Sequence, residues 1–301
     1  MAENKHFSTY TKRKNYNLAF ILGIALNVIY IIIELIFGLL INSMALIADA
    51  GHNFSDVLGL LLAWGAAYLA KTATTKDRTY GLRKTTILAA FFNSIFLLIA
   101  VGAILIEAIR KIIEPEPVAG TVIMIVAGIG VVINALTALL FMKKGERDIN
   151  IKAAFLHLAA DAVISLSVVI AGFLINLTGF YLLDPIISVV IVITITIGTW
   201  RLLKDSFHLS MDAVPRNIKS DEVHDYLASL EGVKDVHDLH IWAMSTTETA
   251  LTVHLVVPNE NKDEMFLNNL SQQLNDKFNI EHATIQIEKY AHGNNCQKES
   301  V

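Results

Sequence analysis

The chain has 301 residues, of which 54% are hydrophobic, and its mean hydropathy is +0.52. Its formal net charge of −4 argues against a nucleic-acid-binding protein, and its single cysteine excludes an internal disulfide. The apolar residues occur in long runs and not in helical stripes, which indicates a membrane protein.

Six apolar runs are long enough to cross a bilayer, since a hydrocarbon core of about 30 Å needs roughly 20 residues of helix. They are residues 17–40, 45–70, 86–110, 118–142, 151–176 and 182–203. Helices are expected because sheet edges and loops would leave backbone groups unpaired in lipid. The first run is too long for a signal peptide and has no small-residue cleavage site, so we expect it to remain as a span.

Basic residues predict the orientation of these spans. They are concentrated before the first span, between the second and third, and between the fourth and fifth: Lys5, Lys12, Arg13, Lys14, Lys71, Lys76, Arg78, Arg83, Lys84, Lys143, Lys144, Arg147 and Lys152. The positive-inside rule therefore places both termini in the cytoplasm. We expect an integral membrane protein, in the inner or plasma membrane if the cell is bacterial.

Two copies of one short motif lie inside apolar runs, His52-x-x-x-Asp56 and His157-x-x-x-Asp161. A spacing of four puts the two side chains one turn apart on one helix face. Ionisable residues inside a membrane are costly and usually functional, although each pair could simply hydrogen-bond neighbouring helices. Two imidazoles and two carboxylates complete a tetrahedral site for a zinc-like cation. Asp49 lies on the same face, and a role behind the ligands is favoured over direct ligation.

The residues after the sixth span have a different composition. Residues 209–301 contain 15 acidic and 7 basic side chains, a net charge of −8. A helix starting at Ser220, strands at 233–242 and 248–257, a helix at 261–277 and a strand at 282–288 predict a small α+β domain. The predicted domains are a transmembrane domain, 1–208, and a cytoplasmic regulatory or dimerisation domain, 209–301.

Several motifs together resemble the zinc-transporting branch of the cation diffusion facilitators. They are Glu34-LIFG-Leu39, Asn42-Ser43, Ala45-Leu46, Asp49-Ala50, the two HxxxD motifs, Tyr80-Gly81, LAAFFNS, Leu183-Asp184-Pro185, Met211-Asp212-Ala213-Val214-Pro215 and Val236-His237-Asp238-Leu239-His240-Ile241-Trp242. The resemblance implies six transmembrane helices, a ferredoxin-like cytoplasmic domain, a homodimer and metal/proton exchange. It also implies a transport site at His52, Asp56, His157 and Asp161.

The resemblance also suggests a second metal site in the cytoplasmic domain. His237 and His254 match positions that bind regulatory metal in the family, and Gln286 and Glu288 fall where further ligands occur. Alternatively, these are ordinary surface residues. In a regular strand His237 and His240 would point to opposite faces, so they are not expected to share a metal. Near Tyr80 the chain lacks the imidazoles of a peripheral site found in some relatives, so that site is expected to be absent.

These observations predict a proton-coupled exporter of Zn²⁺, with Cd²⁺ or Co²⁺ as further substrates. Imidazole ligands suit these ions, and metal binding expels protons from the ligands. The expected partners are therefore Zn²⁺, protons, the bilayer and a second copy of the chain, with Zn²⁺ also as a regulatory ion. The alternatives are a metal-gated channel or sensor, and a membrane-embedded zinc enzyme. Four protein ligands and the lack of an HExxH motif argue against an enzyme.

Overall fold

The computed structural model describes residues 25–142, 149–258 and 264–289. Its first six helices are α1 (Ala25–Leu40), α2 (Met44–Ala70), α3 (Thr85–Ile113), α4 (Gly120–Met142), α5 (Ile149–Thr178) and α6 (Leu183–Ser210). Five of these, α2 to α6, are long and apolar enough to span a membrane, which confirms five of the predicted spans. The predicted first span begins at residue 17, outside the described residues, so α1 represents only its second part.

The start of α2 is fixed by a residue from another helix. Asp184, in the first turn of α6, accepts hydrogen bonds from the backbone N–H groups of Met44 at 2.6 Å and Ala45 at 3.2 Å, and from the hydroxyl of Ser43. These N–H groups have no partner inside their own helix, and a carboxylate there also complements the helix dipole. Asp184 therefore fixes the start of α2 relative to α6, and with it the position of His52 and Asp56 along the bundle.

Contacts divide the described chain into two compact units. The first contains residues up to 61 and 94–200, and the second contains residues 62–93 and those from 201 onward. The first unit is a helical bundle in which α4 and α5 pack most closely. A Cβ on Gly120 would lie 2.6 Å from the carbonyl oxygen of Gly172, so the two backbones can touch only because both residues are glycine.

Apolar side chains fill the interior of this bundle, and many large apolar side chains also cover its outside. Buried examples are Ala45, Leu46, Ala48, Val101, Ile123, Val126, Val168 and Ile191. Exposed examples are Leu40, Ile99, Ile106, Ile125, Val163 and Leu177. An apolar surface of this extent is typical of a protein surrounded by lipid.

The second unit includes a small mixed domain. It contains α7 (Ser220–Ala228), β1 (Asp235–Ala243), β2 (Thr249–Val256), α8 (Glu264–Phe278) and β3 (His282–Glu288), which is the predicted α-β-β-α-β order. The sheet order is β1-β2-β3, with β1 antiparallel and β3 parallel to β2. Its core lies between the sheet and the helices and includes Leu251, Leu255, Leu270 and Leu274.

β1 is not a regular strand. The pairing with β2 shifts between His237 and His240, and Asp238 has a φ of 51°. The extra residue forms a bulge, which changes the alternation of side chains along a strand. The expectation from a regular strand, that His237 and His240 simply face opposite sides, therefore does not describe this segment.

Candidate metal centre

The two HxxxD motifs meet between α2 and α5. His52 Nε2 lies 3.3 Å from Asp161 Oδ1 and 3.8 Å from Asp56 Oδ2. His157 Nε2 lies 3.3 Å from Asp56 Oδ2 and 3.7 Å from Asp161 Oδ2. Each imidazole therefore contacts both carboxylates, and each carboxylate contacts both imidazoles, in a closed ring of four contacts.

The size of this ring matches a zinc site. Zinc binds His nitrogen and carboxylate oxygen at about 2.0–2.2 Å, so neighbouring ligand atoms of a tetrahedral site lie about 3.4 Å apart. The four nitrogen–oxygen distances of 3.3 to 3.8 Å lie close to that length. Ligand atoms of His52, Asp56 and Asp161 also all lie within 4.8 Å of one another. His157 does not belong to that group, and Asp161 contacts the two imidazoles through different oxygens, so an ion held by all four residues requires these side chains to move.

The four side chains differ in exposure. Asp161 and His52 are 6% and 15% exposed, whereas Asp56 and His157 are 33% and 52% exposed. The first pair therefore lies deep in the unit, and the second pair opens towards its surface.

Asp49 does not contact the ring. It is fully buried, accepts a hydrogen bond from the Ser165 hydroxyl at 2.9 Å, and lies 3.5 Å from the amide nitrogen of Asn53. The other ring nitrogen of His52, Nδ1, has no hydrogen-bond partner among the described residues. Asp49 therefore does not orient His52 directly, and the predicted role behind the ligands stays a prediction.

Three polar residues around Asp49 did not feature in the sequence interpretation. Ser165 follows Asp161 by one helical turn, Asn53 follows Asp49 by one turn, and Tyr30 precedes Glu34 by one turn. Spacings of four between polar residues inside apolar runs were the signal that could have identified them. The Tyr30 hydroxyl donates to Glu34 at 2.8 Å, so Glu34 is part of the same network.

A second ligand cluster lies in the mixed domain. His237 pairs with His254 across β1 and β2, and Glu288 lies on the neighbouring strand β3. His237 Nε2 lies 3.4 Å from Glu288 Oε2, and His254 Nδ1 lies 3.0 Å from Glu288 Oε1. Ligand atoms of the three residues lie within 4.8 Å of one another. All three side chains are partly buried, and their ligand atoms are close enough together to make this cluster a candidate metal site.

The bulge in β1 adds a fourth group to this cluster. Asp238 Oδ2 lies 3.6 Å from His254 Nε2, and Asp238 Oδ1 lies 3.0 Å from His240 Nε2. His240 is two-thirds exposed and contacts this aspartate but none of the three clustered side chains among the described contacts. Gln286, which the resemblance also suggested as a ligand, donates to Glu288 at 2.9 Å.

Comparisons with known proteins agree with this arrangement. A family model described as the cation efflux transmembrane domain matches residues 20–209, and one described as the cytoplasmic domain of cation efflux proteins matches residues 215–290. The cadmium, cobalt and zinc/H(+)-K(+) antiporter of Bacillus velezensis is 34% identical over 280 residues, 90% of this chain and 89% of that protein. The zinc transporter ZitB of Escherichia coli is 32% identical over 296 residues, 97% of this chain and 94% of that protein.

Among solved structures, the metal-bound C-terminal domain of the CzcD transporter from Cupriavidus metallidurans is 44% identical. The match covers 24% of this chain and 99% of that one with a TM-score of 0.22, which is too low for a structural comparison. The two family models together cover nearly the whole chain, and both matched relatives are transporters. The chain therefore belongs to the cation efflux family, the cation diffusion facilitators, and it is a transporter and not an enzyme.

Proposed function

We propose that the protein is a proton-coupled antiporter that exports Zn²⁺ from the cytoplasm through His52, Asp56, His157 and Asp161. The observation that carries this proposal is the closed ring of imidazole–carboxylate contacts, with the dimensions of a tetrahedral zinc site, between two apolar helices. Relatives named as zinc transporters and as cadmium, cobalt and zinc antiporters support the same substrates.

The ligand types account for the choice of metal. Imidazole nitrogen suits Zn²⁺ and Co²⁺, whereas a site made only of oxygen would favour Mn²⁺ or Mg²⁺. Cd²⁺ accepts the same mixed set of nitrogen and oxygen ligands. Two carboxylates also balance the charge of a divalent ion, which lowers the cost of holding it away from water.

Proton coupling follows from the state of the ring without metal. A nitrogen and a carboxylate oxygen 3.3 Å apart attract each other only when a hydrogen lies on the nitrogen. A metal must bind that same nitrogen after the hydrogen has left, because ligands coordinate in their deprotonated form. A neutral imidazole could move that hydrogen to its other nitrogen, so the net release of a proton requires an imidazolium; we propose that the centre without metal contains one, stabilised by the two carboxylates. Histidine, with an unperturbed pKa of about 6.5, suits this exchange near neutral pH.

The membrane topology belongs to the same proposal. Six spans, with α1 continuing the apolar run from residue 17, place both termini in the cytoplasm. The proposed domains are 1–208 in the membrane and 209–301 in the cytoplasm. The match of the first family model to residues 20–209 and of the second to 215–290 supports this division. Rocking of the bundle would expose the metal centre to each side in turn.

The cytoplasmic domain is proposed to have a ferredoxin-like fold, to mediate a homodimer and to bind regulatory Zn²⁺ at His237, His254 and Glu288. The family model for this domain is named for dimerisation, which supports the homodimer. The two imidazoles and the carboxylate share a small volume, which supports the metal site. Metal bound there lies outside the transport path, so it would change activity without carrying flux.

Transport into proteoliposomes tests the proposal. Uptake of Zn²⁺, Cd²⁺, Co²⁺ and Mn²⁺ is measured with and without an imposed pH gradient. We expect the Zn²⁺ flux to increase when protons flow down their gradient in the direction opposite to the metal. Mn²⁺ should be transported poorly. Zinc flux that does not respond to the gradient would instead indicate a metal-gated channel and would contradict the antiport.

A further inference from the structure

A pair of buried acidic side chains lies next to the metal centre without forming part of it. Glu34 on α1 and Asp49 on α2 both have no exposed surface. No Lys, Arg or His side chain in the described part of the chain forms a salt bridge with either. Burying one unpaired carboxylate in an apolar interior is very costly, and burying two beside each other costs more still.

Only neutral groups donate hydrogen bonds to the pair. Glu34 accepts a hydrogen bond from the Tyr30 hydroxyl at 2.8 Å, and Asp49 accepts one from the Ser165 hydroxyl at 2.9 Å. The amide nitrogen of Asn53 lies 3.4 Å from Glu34 and 3.5 Å from Asp49. The two carboxyl groups therefore lie on either side of one amide group, and among the described residues no positive charge stands between them.

The fold fixes the Tyr30 hydroxyl in this position. Tyr30 is buried, and its hydroxyl lies directly against Gly130 of α4, where any Cβ would overlap it. The network therefore connects α1, α2, α4 and α5. The titratable groups near the pair are Tyr30 on α1, His52 on α2 and Asp161 on α5; α4 contributes a glycine backbone, and α5 also contributes the Ser165 hydroxyl.

The pair lies one helical turn from the metal ligands. Asp49 and His52 are three residues apart on α2, and Asp161 and Ser165 are four residues apart on α5. The Asp49–Ser165 hydrogen bond thus repeats the His52–Asp161 contact one turn away, about 5.4 Å along the helices. In the proposed orientation α2 runs inward, so the pair is on the outer side of the metal centre.

We propose that Glu34 and Asp49 form a proton-binding site, separate from the metal ligands, that holds one proton when the metal centre is empty and loses it when a divalent cation binds. This inference rests on the proposed transport site. A divalent ion adds positive charge one turn from Asp49, where surrounding apolar groups screen it poorly. The proton passes to water, and the pair becomes one unit more negative.

Infrared difference spectroscopy of the full chain in lipid tests the proton directly. Adding Zn²⁺ to the wild-type protein should remove intensity from the carbonyl band of protonated carboxyl groups. Part of that loss should disappear in the Glu34→Gln/Asp49→Asn variant, and the whole loss should remain in Glu107→Gln, a control at an exposed glutamate of α3. A wild-type spectrum without the loss, or an identical loss in the double variant, would overturn the proposal.

Zinc binding measured by calorimetry across a pH series gives a second, independent readout. The wild-type Kd should change about tenfold more per pH unit than that of Glu34→Gln/Asp49→Asn, because the variant releases roughly one proton fewer per zinc. Equal pH dependence of the two proteins would contradict the proton site.

A variant of a metal ligand separates failure of this inference from failure of the proposed function. If Asp161→Asn binds zinc as tightly as the wild type, the transport site itself is wrong. If Asp161→Asn binds zinc weakly while the double variant keeps the wild-type pH dependence, only the proton site is wrong. Tyr30→Phe should keep the proton and shift the carbonyl band, since it removes one hydrogen bond to Glu34.

Discussion

Replacing Asp161 by asparagine tests the metal centre most directly. Asp161 is nearly buried and contacts both imidazoles, at 3.3 Å to His52 and 3.7 Å to His157. Asparagine has nearly the same shape, so the substitution removes a charged ligand without leaving a cavity. Its amide cannot supply the negative charge that balances the ion.

The expected loss can be worked from the number of ligands. Four-ligand zinc sites in small proteins bind with apparent free energies of about 10–16 kcal/mol, or roughly 2.5–4 kcal/mol for each ligand. Since about 1.4 kcal/mol corresponds to a tenfold change, losing one of four ligands should weaken zinc binding by about a hundredfold or more. Transport at low zinc concentrations should fall by a similar factor.

Calorimetry on the purified protein and zinc uptake into proteoliposomes measure the two effects. Glu107→Gln serves as the control, because it removes an exposed carboxylate that contacts only Arg110 among the described ion pairs. Folding should survive, since a carboxylate at the centre of a membrane helix costs about 2.5–3.5 kcal/mol on insertion. A zinc affinity within a few-fold of the wild type, in a folded variant, would refute the assignment of Asp161 as a ligand.

Three further substitutions test other parts of the structure. His52→Asp replaces a nitrogen ligand by oxygen and should shift competition for uptake from Zn²⁺ towards Cd²⁺ or Mn²⁺; unchanged selectivity would argue against His52 as a ligand. His237→Ala/His254→Ala should weaken the response of transport to metal without abolishing it, and complete loss of flux in a folded dimer would contradict a regulatory role. Gly172→Ala should lower the free energy of unfolding by about 1–3 kcal/mol, because its Cβ would lie 2.8 Å from the carbonyl oxygen of Gly120. An unchanged melting temperature would contradict the close packing of α4 and α5 at this point.

The long helices, and the alignment of each histidine with its aspartate, could be predicted because both depend on short-range patterns. A run of apolar residues is sufficient to indicate a membrane helix, and a spacing of four is sufficient to align His52 with Asp56 and His157 with Asp161. That the two motifs meet was predicted from the chemistry of zinc, because two imidazoles and two carboxylates complete one tetrahedral site. The structure brings their ligand atoms to 3.3–3.8 Å of one another.

Other features depend on contacts between distant parts of the chain, which periodicity cannot predict. Ser43 and Asp184, whose side chains hydrogen-bond at the start of α2, are 141 residues apart in sequence. The bulge at Asp238 arises from one additional residue in β1, at a position where no glycine marks the positive φ. The network around Glu34 combines side chains from three helices with the backbone of Gly130 on a fourth, so in the sequence its residues are only isolated polar positions.

Charge balance links the ligand set to the exchange of metal for protons. In the proposed antiport cycle, two carboxylates and one divalent cation sum to zero, so the loaded centre would change between its two states without moving net charge through the bilayer. The empty centre would keep both negative charges and would be costly in the same apolar surroundings. In the proposed cycle, one proton on His52 or His157 and one on the Glu34–Asp49 pair offset these charges on the return step, and the contacts of the imidazoles with both carboxylates stabilise the protonated form. Replacing His52 or His157 by aspartate would remove one of the two imidazoles that can bind a proton in this centre. The identity of the ligands therefore sets both the metal preference and the proton coupling.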